Sequence, residues 1–60
     1  MKAGDRALSP IFGEIVIRQV FDSEEEARKA GYYYDAHVFI LGFKVLADDR
    51  RGFCAVRVPV

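Results

Sequence analysis

The sequence predicts a small α+β domain: a three-stranded mixed sheet in β-α-β-β order with one short helix on one face. Three observations point there. β-Branched residues dominate from Ile11 to Phe21, a capping pattern opens at Ser23 and stops at Gly31, and two apolar runs flank the polar link Asp48 to Arg51. Sixty residues with 52% hydrophobic and 30% charged side chains suit one folded domain.

Each element has a local cause. Residues 1–10 mix Lys2, Gly4, Asp5, Arg6, Ser9 and Pro10 without an apolar period, which reads as a flexible N-terminal arm. Residues 11–60 form the domain. Its first strand runs from Ile11 to Phe21, with Gly13 marking a weak start or a bulge. Ser23, with Glu26 three residues on, forms a capping box that begins a helix from Glu24 to Ala30. Glu24, Glu25 and Glu26 suit the positive end of the helix dipole, and Arg28 and Lys29 suit the negative end. Gly31 supplies the stop. Only Ala27 and Ala30 are apolar at helical spacing, so the helix must lie close to whatever it covers. His37 to Ala47 reads as the second strand and Gly52 to Val60 as the third, the two joined as a hairpin. The helical connection makes the first two strands parallel, and the hairpin reverses the third. The neighbour of the first strand stays open.

Strand periodicity assigns faces, because a one-residue slip reverses every side chain. With an even hairpin loop, Ala47 stands opposite Gly52. Phe39, Leu41, Phe43 and Val45 then share a core face with Cys54, Val56, Val58 and Val60. The reverse collects Val38, Ile40, Gly42, Lys44 and Leu46 with Phe53, Ala55, Arg57 and Pro59. In the first strand, Ile11, Ile15, Ile17 and Phe21 alternate with Phe12, Glu14, Val16, Arg18 and Val20. The helix is expected over the core face. The mixed face carries more apolar area than a small sheet normally leaves in water, with charged groups interspersed, and so fits a partly polar interface. An N-terminal arm folded over that face is the plainer reading of the same pattern.

Composition narrows function. A chain this short buries only about 60% of the surface its unfolded form exposes, so a partner subunit would help it. Cys54 is the only cysteine and His37 the only histidine, which removes an internal disulfide and a zinc cluster. Nine basic against nine acidic side chains give a formal charge of zero, which removes the broad attraction that nucleic-acid and membrane binders use. No apolar run approaches the length of a membrane span, no signal-peptide core follows Lys2, and the free thiol points to a cytoplasmic setting.

No residue constellation points to catalysis. His37 has only Asp35 nearby to orient it, and Cys54 falls on the core face, where a thiol is inert. Glu24, Glu25 and Glu26 point about 100° apart on a helix and cannot converge on an ion. No phosphate loop, nucleophile elbow or metalloprotease pattern occurs. The expectation is a non-enzymatic module without cofactor, metal or small-molecule ligand. It binds protein, with a homodimer first in view, through a sheet face or a strand edge. The interface candidates are Tyr32, Tyr33, Tyr34, Arg18, Lys44, Arg57, Ile40 and Phe53. The alternative is nucleic-acid binding, in which Tyr32 to Tyr34 stack on bases while Arg28, Lys29, Arg50 and Arg51 meet phosphates. The run from Ser23 to Tyr32, followed by two strands, resembles short bacterial and phage proteins. Any well-capped helix ahead of a hairpin shares it, so it implies no activity.

Overall fold

Backbone pairing in the computed structural model, which describes residues 1–59, runs through β1 (Arg6–Ser9), β2 (Gly13–Phe21), α1 (Glu24–Lys29), β3 (Tyr34–Ile40), β4 (Phe43–Ala47) and β5 (Phe53–Arg57). The strands form one five-stranded sheet in the order β1-β2-β5-β4-β3, with β2 and β5 parallel and all other neighbours antiparallel. This overturns the three-stranded β-α-β-β expectation. The protein is mostly β, and its sheet curls into a half-barrel with one short helix outside.

Two local features add the two extra strands. Gly42 has φ +77°, a left-handed conformation that glycine adopts without a Cβ clash, and it turns the chain between Ile40 and Phe43. The expected second strand, His37 to Ala47, is therefore the β3–β4 hairpin. At the other end, Ser9 reverses the chain that was expected to be an arm. Its Oγ accepts hydrogen bonds from the amides of Ile11 at 3.2 Å and Phe12 at 3.1 Å. Arg6 to Ser9 then pair with Val16 to Gly13. The arm does fold onto the sheet, where Ala7 and Met1 pack against the apolar interior.

The extra hairpin also changes strand directions. Two reversals separate β3 from β5, so β5 runs parallel to β2, where a single reversal was expected to make the last strand antiparallel to the first. Pro59 lies beyond the end of β5 and interrupts no pairing of this central strand.

The hairpin register is also corrected. Ala47 faces Phe53, not Gly52, because residues 48–52 make an odd loop. Asp48 builds that loop: its Oδ1 accepts from the amides of Arg50 at 3.0 Å and Gly52 at 2.6 Å, and its own amide donates to the Gly52 carbonyl at 2.9 Å. Gly52 lets the Arg18 and Asp48 side chains approach the loop closely. A Cβ on it would lie 2.8 Å from Arg18 Nη1 and 3.0 Å from Asp48 Oδ2. The one-residue slip puts Lys44 opposite Val56 and Arg57 opposite Phe43, so the two cations lie on opposite faces. The mixed face expected from sequence does not form, so the face assignment from which an interface was argued is corrected. Val60, assigned to the expected core face, lies outside the described residues.

Both faces of the sheet bury apolar groups. The concave face holds Ile15, Ile17, Ala36, Val38, Val45, Ala47, Phe53 and Ala55. The helix side holds Ala27, Tyr32, Leu46, Cys54 and Val56, with Phe21 beside them. A bulge between Ile17 and Gln19 changes the alternation of β2, so Ile17 points inward while Phe21 joins the helix side. α1 follows its capping signals: Ser23 Oγ accepts from the Glu26 amide at 3.3 Å, and Ala30 is the C-cap. Six residues make a poor helix alone. Burial of Ala27 and the 3.1 Å bond from Lys44 Nζ to Glu24 hold it on the sheet. The curl brings the outermost strands together, and Ser9 Oγ donates to the Ala36 carbonyl at 3.0 Å.

Candidate functional site

The turn after β1, residues Tyr33 and Tyr34, and the loop 48–52 meet at one end of the half-barrel. Topology places them there, since β1 ends, β2, β3 and β5 begin and β4 ends at that side. The Tyr33 and Tyr34 rings lie 4.6 Å apart and both are exposed. Phe12 packs edge-on against Phe53 at 5.4 Å, and the Arg51 guanidinium lies 5.0 Å from the Phe12 ring centre. Phe12, Tyr34, Ala47, Asp48, Asp49 and Arg51 line an open pocket of about 290 Å³. A second recess, of about 250 Å³, lies on the other side of the loop between Tyr33 and Arg50.

Charge at this end is unevenly committed. Asp48 holds the loop together, as described above. The Tyr33 phenol ionises well above its ordinary value, first because of the nearby Asp49 carboxylate. Among the described residues, Arg50 and Arg51 make no ion pair.

The remaining candidates lie elsewhere in the fold. Tyr32 is buried, its ring 5.8 Å from Phe21, and burial pushes its phenol up. Ile40 packs partly buried on the concave core, and Phe53 is buried within it. Lys44 ties the helix to the sheet through Glu24 at 3.1 Å and Asp35 at 3.6 Å. Arg57 lies over Phe43 at 5.3 Å and pairs with Asp22 at 3.5 Å. Arg28 and Lys29 pair along the helix with Glu24 at 3.5 Å and Glu25 at 3.3 Å. Arg18 sits at the β2 bulge beside Gly52. Of the residues proposed for nucleic acid, only Tyr33, Tyr34, Arg50 and Arg51 come together.

His37 lies in a bulge of β3 at φ +54°, its amide donating to Asp35 Oδ1 at 2.7 Å. Cys54 is fully buried, which pushes its thiol up to about 11. Among the described residues, no three His, Cys, Asp or Glu side chains converge as a metal site would require. Among the described residues, no helix is long and apolar enough to cross a membrane. Sequence reasoning missed Phe12 as a site residue and Ser9 as the residue that seals the curl; Ser9-Pro10 before Gly13 was the available turn signal. No protein-family model, curated protein or solved structure matches the chain.

Proposed function

We propose that the chain is a small non-enzymatic protein-interaction module of the cytoplasm that associates first with a second copy of itself. The observation that carries this is the exposure of large apolar side chains on the two outermost strands and the β3–β4 turn: Leu8 75%, Phe39 72% and Leu41 97%. Burying each is worth about 1.5–3 kcal/mol. A symmetric contact uses each side chain twice, which gives a gain of about 10 kcal/mol or more against an association cost of about 4–15 kcal/mol. The balance suits a weak dimer populated at high concentration.

Side chains, not open strand edges, make the contact. β1 is short and β3 is interrupted by its bulge, two features that discourage strand addition. Sedimentation across a dilution series tests the reading. Self-association is expected to appear with concentration and to vanish in Phe39→Glu; a strict monomer at the highest concentration refutes it.

Nucleic-acid binding is the second reading, favoured by the meeting of Tyr33, Tyr34, Arg50 and Arg51 at one end of the sheet. Asp48 and Asp49 beside them and the zero net charge oppose it. Absence of oligonucleotide retention at low salt ends it.

A further inference from the structure

One exposed face of the molecule carries a pattern of charge that complements itself. Ala7 and Ile15 pair across β1 and β2 and pack toward the concave core, so Arg6, Leu8, Glu14 and Val16 stand on the outer face. Arg6 lies opposite Val16, and Leu8 opposite Glu14. Leu8 and Val16 therefore share one diagonal of this patch, and Arg6 and Glu14 the other, their charged groups 3.6 Å apart. The helix packs over Leu46, Cys54, Val56 and Phe21 and leaves this corner bare, with Leu8 75% and Val16 49% exposed. Phe39 faces outward from β3, the strand that the curl brings against β1, and extends the patch across that seam.

The pattern selects a second copy of the chain. A two-fold axis in the contact plane, laid along the Leu8 to Val16 diagonal, sets each of these side chains on its own counterpart. The same rotation brings Arg6 of each copy over Glu14 of the other. The strands of the two copies then cross near a right angle, one of the two preferred ways for sheets to pack. A copy turned about the other diagonal would set Arg6 on Arg6 and Glu14 on Glu14, so the charges fix the orientation. Within one copy this pair is exposed and screened by water, and it contributes little to folding. The cation beside Phe39 is engaged differently, since Lys44 holds Glu24 and Asp35.

We infer that two copies meet through the outer face of β1 and β2, with Leu8 and Val16 against the same residues of the second copy, Arg6 against its Glu14, and Phe39 at the rim. This rests on the self-association proposed above and deepens it by naming the surface and its orientation. It also makes the association weaken with salt, which a purely apolar contact does not do.

Sedimentation of charge-reversed variants tests the inference. Arg6→Glu and Glu14→Arg each set like charges across the contact and are expected to weaken self-association at least about tenfold. An equimolar mixture of the two variants sets opposite charges at both pairs, and it is expected to form heterodimers within about threefold of the parent affinity. The doubly reversed chain is expected to do the same with itself, and because it keeps the pair within each copy it controls for folding. Raising salt from about 50 mM to about 500 mM is expected to weaken the parent about threefold or more. The inference alone is overturned if the parent associates and either single variant associates equally well, or if the mixture associates no better than its components. A parent that stays monomeric overturns self-association itself and this surface with it.

Discussion

Replacing Leu46 and Phe39 separately by alanine tests the hairpin register more directly than any other pair. In the structure Leu46 is 1% exposed and packs with Ala27, Tyr32, Cys54 and Val56, while Phe39 is 72% exposed. The even-loop register expected from sequence reverses the two roles. Truncating a buried leucine costs about 2–5 kcal/mol through lost transfer energy and the cavity left behind. A domain of this size holds about 3–9 kcal/mol in all, so Leu46→Ala removes a large share of it. Phe39→Ala leaves no cavity and is expected within about 0.5 kcal/mol of the parent. Urea denaturation at low protein concentration, where any dimer is dissociated, measures both. With a slope of about 1 kcal/mol per molar urea, Leu46→Ala should lower the midpoint by about 2 M or more. A larger loss for Phe39→Ala than for Leu46→Ala would refute the register and the two-faced core built on it.

Three further outcomes are expected. Ser9→Ala removes the donor to the Ala36 carbonyl and the acceptor for two turn amides, and thermal melts should show a loss of about 1–3 kcal/mol; an unchanged melt means that Ser9 does not seal the curl. Glu24 is held below its ordinary value of 4.5, first by its hydrogen bond to Lys44. The stability it contributes is present above pH 4.5 and is lost as pH falls through the lowered value, so Lys44→Met should flatten this part of the acid limb by less than about 1 kcal/mol in melts recorded from pH 7 to pH 3. Cys54, fully buried with its thiol raised to about 11, should react with a thiol reagent only at the rate of unfolding; fast labelling of the native protein contradicts its burial.

The candidate site was legible in part. Tyr33, Tyr34, Arg50 and Arg51 are residue types that contacts favour, and sequence alone marks them. Their convergence with Phe12 was not legible, because it depends on β1 and β3 meeting at one end of a curled sheet. Lys44, Arg57 and Tyr32 have the same composition signal, yet an ion pair, a ring contact and burial commit them to the fold.

Local chemistry determined what local chemistry can. Ser23, the three glutamates and Gly31 specify α1, because capping and dipole effects act within a turn or two of chain. The β-branched run specifies β2 for the same reason, as an intrinsic preference of neighbouring residues. Strand count, direction and register were decided by the tertiary structure. Gly42 within an apolar run reads as strand until its φ is seen, Asp48 chooses an odd loop through its own side chain, and β1 forms because β2 offers it an edge. Pairing energy is shared between segments distant in sequence, so neither segment records it alone.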